Sequence, residues 1–179
     1  MMMAYEKKSG FTLIEMVIVI VLLGLLAAVA LPRFLNVSND AEEAIVKNTS
    51  GSFYTGLIMA KSKWELENKT NKYLDIDNDG RAETRFNLKG YPVGISGDGE
   101  TALSDIMDKG VAGHDACSQI LENILDLTGM TVIAADEQGR CKSGDFCATA
   151  TGTGDCIYKY RDTNSEFTYR ATTGEVLYE

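Results

Sequence analysis

Gly10, Phe11 and Glu15 carry the most specific chemistry in the chain. Glu15 stands one helical turn beyond Phe11, and from Met16 to Leu31 nothing is more polar than Gly24. A carboxylate at the edge of such a run is expensive in lipid and is normally paired. Cleavage after Gly10 would create an ammonium group on Phe11. That gives Glu15 a cationic partner, in its own chain or in a neighbour packed alongside.

A second group is acidic. Asp75, Asp77 and Asp79 stand at alternate positions, followed by Gly80, Arg81 and Glu83. This is the spacing of a Ca²⁺ loop: carboxylates at positions one, three and five, a glycine turn at six, the Arg81 carbonyl at seven and Glu83 at nine. Hard oxygen ligands favour Ca²⁺ or Mg²⁺ over a transition metal. Position twelve is Phe86, where an EF-hand carries a bidentate glutamate, and no helix pair flanks the segment. The ion would therefore be structural, fixing a loop of mutually repelling carboxylates. The alternative is a solvated acidic turn that closes a hairpin.

The third group is the cysteines, Cys117, Cys141, Cys147 and Cys156, all in the last third of the chain. An even number in an exported domain reads as disulfides, with three connectivities open. Cys141 and Cys147 bracket a short turn-rich span, which favours Cys141–Cys147 together with Cys117–Cys156. Zinc is the rival, but no CxxC is present. The one His, His114, makes a triad or a multi-His metal site hard to build. It sits beside the start of an expected helix and reads as a cap or a surface residue. Ser118 lies nearby without a third group to orient the pair. P-loop and GxGxxG patterns are absent, so neither an enzyme nor an organic cofactor is expected.

The elements that must position these groups follow from periodicity and composition. The 179 residues carry a net charge of −9, which opposes nucleic-acid binding because phosphate neutralisation needs a basic face. Phe11 to Leu31, about 1.5 Å per residue in a helix, matches a hydrocarbon core of ~30 Å. Lys7 and Lys8 precede it, so the C-terminal bulk is expected outside the cytoplasm. Three readings compete for this segment. One is a signal peptide cut near Ala28-Val29-Ala30, another is a plain anchor, and the last is an anchor processed at its cytoplasmic end. A signal peptide gains nothing from Glu15. Pro32 should kink or locally melt the helix near residues 28–32 without ending it. Beyond it Phe34, Val37, Ala41, Ile45, Asn48, Ser52, Gly56, Ala60 and Trp64 recur at helical spacing, with Phe53 and Leu57 widening the stripe. The helix is expected from about residue 12 to 67, roughly 80 Å long. Its second half then forms a core face, and its first half is left for other subunits. A shorter helix is expected over Asp115–Leu127. Strands are expected over 155–161, 166–170 and 175–178, the last two joined by a glycine turn. Three Asn-x-Ser/Thr triplets (at Asn36, Asn48 and Asn68) read as chance.

Lys7-Lys8-Ser9-Gly10 followed by Phe11-Thr12-Leu13-Ile14-Glu15 resembles the prepilin-type signal of type IV pilins and type II secretion pseudopilins. Gly24 and Pro32 stand where that family has a helix-loosening glycine and a proline. The resemblance implies an α+β, pilin-like fold: the long N-terminal helix with a C-terminal antiparallel sheet packed on its outer half. It divides the chain into a cleaved leader (1–10), a transmembrane and filament-core helix (11–31) and a periplasmic or extracellular head (32–179). It also implies cleavage by prepilin peptidase between Gly10 and Phe11, methylation of the Phe11 amine, and pairing of Glu15 with the Phe11 amine of an adjacent subunit. Loss of the leader makes the mature chain one unit more negative. Related proteins carry structural Ca²⁺, which adds modest weight to the Asp75–Glu83 reading.

Pro32-Arg33-Phe34-Leu35-Asn36 with Asp40-Ala41, Gly90-Tyr91-Pro92 and Cys156-x-Tyr158-x-Tyr160 are similar to the mannose-sensitive haemagglutinin (MSHA) class of type IV pilins. Cys141 and Cys147 are outside that pattern. The class implies a fimbrial subunit for surface attachment, held in the inner membrane before assembly and extracellular afterwards. Its implied partners are other copies, minor pilins, prepilin peptidase, an inner-membrane assembly platform and membrane lipid. A pseudopilin of a type II secretion system is the alternative within the family. A secreted, Ca²⁺-stabilised soluble domain is the alternative outside it.

Overall fold

The computed structural model describes residues 10–67, 73–76, 84–95, 111–161 and 163–178, apart from the side chains of 32–36, 38, 95, 111 and 112. The chain divides into two compact units, Met1–Ala41 and Glu42–Glu179. One helix, α1 (Leu13–Leu66), contributes to both.

In the first unit every described side chain from Phe11 to Val29 is exposed. The backbone is helical through Gly24 and through Pro32. The expected melting at residues 28–32 does not occur. Proline removes one i→i−4 bond, and the flanking Leu and Ala residues are strong helix formers that carry the helix past that gap.

In the second unit the buried face of α1 is Val46, Thr49, Ser50, Phe53, Leu57, Ala60 and Trp64. The expected stripe is corrected by about one residue: Asn48 and Ser52 are exposed, while Phe53 and Leu57 lie at its centre. The large apolar side chains set the buried face, because each removes far more apolar area from water than Ser or Asn. Gly56 lets a second helix, α2 (Val111–Ile124), approach α1. A Cβ on Gly56 would lie 2.6 Å from Ile124 Cγ2 and 2.9 Å from its carbonyl oxygen. The helix expected at Asp115–Leu127 therefore starts and stops earlier. Gly113 lies inside α2 and is buried.

The strands form two sheets. Strands β1 (Tyr73–Leu74), β2 (Thr84–Phe86) and β3 (Pro92–Ile95) make an antiparallel three-stranded sheet in that order. Pro92 opens an edge strand, where its missing N–H costs little. Strands β4 (Val132–Ala134), β5 (Phe146–Ala150), β6 (Asp155–Tyr160), β7 (Glu166–Arg170) and β8 (Glu175–Tyr178) form the second sheet, in chain order. The α+β class holds, but this sheet is mixed: β4 pairs parallel with β5, Ile133 opposite Cys147. A strand of three residues carries no sequence signal of direction. Its direction comes from the crossover loop that follows it.

Alternation on β6 turns Cys156, Tyr158 and Tyr160 inward. Phe53 of α1 meets Tyr158, Phe167 and Tyr169 with ring centroids 5.4–5.9 Å apart. Both buried phenols are hydrogen-bonded. Tyr158 donates to the Cys117 carbonyl and Tyr169 to the Pro92 carbonyl, each at 2.8 Å. Burial raises both hydroxyls well above their ordinary range, so they stay neutral donors. A second cluster, Ala60, Trp64, Leu74 and Phe86, joins α1 to the three-stranded sheet.

Candidate functional site

Residues Gly10–Thr12 precede α1 in non-helical conformation, and Phe11 is 80% exposed. Thr12 is the N-cap of the helix and Glu15 its third residue. The Thr12 amide and hydroxyl both donate to Glu15 Oε2 at 2.7 Å, and the Glu15 amide donates to Thr12 Oγ1 at 3.3 Å. This reciprocal pair is a capping box, which satisfies helix-end N–H groups that have no partner inside the helix. The Thr-x-x-Glu spacing at 12–15 was the signal for it, and the sequence reading missed it. The geometry fixes the Glu15 carboxylate at the end of the helix, on the side of Phe11. Leu13–Leu31 is long and apolar enough to cross a membrane, and none of it is buried within the chain. A Cβ at Gly24 would meet nothing within 4 Å, so nothing within the described chain requires glycine there. Pro32 lies within α1.

The acidic segment is described only at its entrance. Leu74 pairs with Thr84, so residues 75–83 are the connection of a hairpin. Asp75 is half-buried, and its carbonyl accepts a hydrogen bond from Lys63 Nζ. At the other end the buried Thr84 hydroxyl has no partner among the described residues. Asp77, Asp79, Arg81 and Glu83 lie outside the described residues.

Cys117 is joined to Cys156 and Cys141 to Cys147. The first bridge is fully buried between α2 and β6; the second is partly exposed. His114 is a correction. It lies inside α2, only 2% exposed, and its Nδ1 accepts the Ala150 amide at 2.8 Å. Helix α2 starts at Val111, which carries His114 away from the helix end and into the interior.

The Gly90-Tyr91-Pro92 segment is an interlocked unit. Gly90 (φ +80°) lies against the Trp64 ring, which a Cβ would approach to 2.4 Å. Lys61 Nζ donates to the Tyr91 hydroxyl at 3.0 Å and lies 4.5 Å from that ring's centroid. These contacts are structural.

A capped carboxylate four residues beyond Phe11, an exposed membrane-length helix and an α+β head fit the layout expected of a prepilin-type protein. The comparisons agree. Residues 6–31 match the prokaryotic N-terminal methylation motif. The chain is 32% identical over 88 residues to a type IV major pilin protein, PilA, of Myxococcus xanthus, covering 49% of this chain and 37% of that protein. It is 41% identical over 54 residues to the type IV narrow pilus major component of Thermus thermophilus, covering 30% of this chain and 47% of that protein. The matched regions thus span less than half the length of either relative. No solved structure matches the chain. In its N-terminal motif and over part of its length, the chain is thus similar to type IV pilins.

Proposed function

We propose that the chain is the structural subunit of an adhesive, MSHA-like type IV pilus. It is held in the inner membrane by Leu13–Leu31 with the head in the periplasm. It is cleaved between Gly10 and Phe11 by prepilin peptidase and methylated on Phe11. An inner-membrane platform then assembles it with copies of itself and with minor pilins. The observation that carries this reading is the coincidence of the methylation motif with a capped Glu15 at the head of an unburied apolar segment. The printed names of both relatives, a major pilin and a pilus component, support a filament role.

The mechanism is exchange of surroundings. Lipid covers the apolar helix in the stored subunit, and neighbouring helices cover it in the filament. Glu15 sets axial register by pairing with a neighbour's Phe11 ammonium. Leaving one member of such a buried pair alone costs about 3–5 kcal/mol. Gly24 and Pro32 serve close helix contact there, since the chain alone makes no use of a glycine at 24. Ca²⁺ held by Asp75, Asp77, Asp79, the Arg81 carbonyl and Glu83 would fix the β1–β2 connection and neutralise its repulsion. The half-buried Asp75 and the buried Thr84 hydroxyl at the loop's two ends fit an oxygen-lined site.

Mass spectrometry of filaments sheared from cells tests the reading. Methyl-Phe11 at the mature N-terminus supports it; a mature chain beginning at Leu31 replaces it with a secreted soluble domain. A methylated chain absent from sheared filaments, with loss of protein secretion on deletion, makes it a pseudopilin. For the ion, thermal unfolding with Ca²⁺ or chelator is compared with Asp77→Asn/Asp79→Asn. Ca²⁺ at about 100 times its Kd should add ~2.7 kcal/mol to the parent and nothing to the variant.

A further inference from the structure

The two disulfides sit in opposite environments. Cys117 and Cys156 are both fully buried, and the Cys117 carbonyl accepts the Tyr158 hydroxyl. Cys141 and Cys147 are partly exposed and line a surface depression of about 250 Å³ with Lys142, Ser143, Gly144 and Arg161. Lys142, and an Arg161 that is ion-paired with Asp145, therefore flank an accessible bridge. Arg161 is held there: its side chain donates to Asp145 Oδ1 at 2.6 Å, its amide donates to the Asp145 carbonyl at 2.8 Å, and its φ is +46°. Thiol–disulfide exchange needs a thiolate to reach a sulfur, and nearby cations favour anionic sulfur both attacking and leaving.

The bridge also clamps a short edge strand whose Val132 packs into the core. Strand β4 has three residues and, among the described residues, sits at the edge of its sheet with β5 as its one strand partner. Its parallel partner must be reached by a crossover of only residues 135–145, at the short end of what parallel strands need. Cys147 lies opposite Ile133 in the register, and Cys141 Sγ lies 3.4 Å from the Ile133 carbonyl. Gly144 rests on the Ile133 side chain, where a Cβ would come within 2.8 Å. Both sulfurs and the loop between them thus converge on Ile133.

We propose that Cys141–Cys147 is an exchange site for small thiols, that Cys117–Cys156 is not, and that opening the site releases β4 while the rest of the head stays folded. A dithiol reductant supplies the electrons. One of its thiolates attacks either sulfur, forming a mixed disulfide and expelling the other cysteine as a thiolate, which takes up a proton. The second thiol displaces the mixed disulfide. The products are two cysteine thiols and an oxidised dithiol, with two electrons and two protons transferred to the protein. The site does not depend on the proposed filament role.

The test uses the oxidised full chain in detergent, a graded dithiothreitol series without denaturant, alkylation and peptide mass mapping. Cys141 and Cys147 should be alkylated at reductant concentrations about ten-fold or more below those that open Cys117 and Cys156. Simultaneous opening, or Cys117–Cys156 opening first, overturns the assignment. Hydrogen exchange on the selectively reduced chain should rise at residues 132–134 and stay unchanged in α2 and β6. Unchanged protection at 132–134 refutes the clamp. Lys142→Glu should slow opening by glutathione several-fold more than opening by neutral 2-mercaptoethanol; equal slowing refutes the part played by the cations.

Discussion

Replacing Gly174 by Ala should destabilise the head mainly through one aromatic ring. Gly174 has φ +76°, and a Cβ there would lie 1.9 Å from Tyr91 Cε1 and 2.3 Å from Cζ. The ring cannot simply swing aside. Lys61 bonds its hydroxyl, its amide donates to Asn87 Oδ1 at 3.0 Å, and Asn87 Nδ2 donates to the Ala171 carbonyl at 2.6 Å. A non-glycine residue in the left-handed region costs about 1–2 kcal/mol. Forcing the ring off its rotamer adds about 0.5–1.5 kcal/mol. Losing the Lys61 bond adds about 0.5–1.5 kcal/mol. The expected total is roughly 2–5 kcal/mol, of which only the backbone part should survive in a Tyr91→Ser background. Trp64, the chain's single tryptophan and a buried one, reports unfolding by fluorescence in a denaturant series on the full chain in detergent. If Gly174→Ala costs the same in both backgrounds, the ring contact is not the source and the reasoning fails.

Glu15→Ala should leave cleavage largely intact and block assembly, and normal filaments would refute the pairing. Thr12→Val, which removes the hydroxyl from the cap at about 1 kcal/mol, should lower filament yield without abolishing it. Asp145 is held below its ordinary carboxylate value by the Arg161 side chain and then by the Thr131 amide. A depressed native value means that its stabilisation is complete above the unfolded value of about 4 and fades as pH falls through the lower native one. Asp145→Asn should therefore destabilise the head at pH 7 and have little effect near pH 2; equal losses at both would contradict this. His114→Leu leaves the Ala150 amide without its acceptor and should cost about 1–3 kcal/mol in urea unfolding; a neutral result would show that bond to be dispensable.

The N-terminal segment was legible because its information is local. Two lysines, Gly10, Phe11, Glu15 and an unbroken apolar run mark the methylation motif and a membrane-length helix with no reference to the rest of the chain. The capping box was equally local and was overlooked. The strands β6–β8 were legible too, since inward Cys156, Tyr158 and Tyr160 alternate with outward residues. An even cysteine count marked disulfides, and the short 141–147 span favoured the pairing found. The stripe on the second half of α1 was blurred by Asn48 and Ser52, which share its period but not its burial. His114 misled because its surroundings in sequence, Gly113 and Asp115, look like a helix boundary.

The sequence alone determined where the chain enters a membrane-length helix, which residues form the N-terminal motif, and that a cysteine-bearing β region follows. Periodicity, charge and motif spacing are short-range properties. Tertiary structure decided the parallel β4–β5 pair, the interior place of His114 and the glycines that neighbours demand. Gly56 must admit Ile124, Gly90 must admit Trp64 and Gly174 must admit Tyr91. Each of these depends on a residue far away in the chain, and only close packing brings the two together.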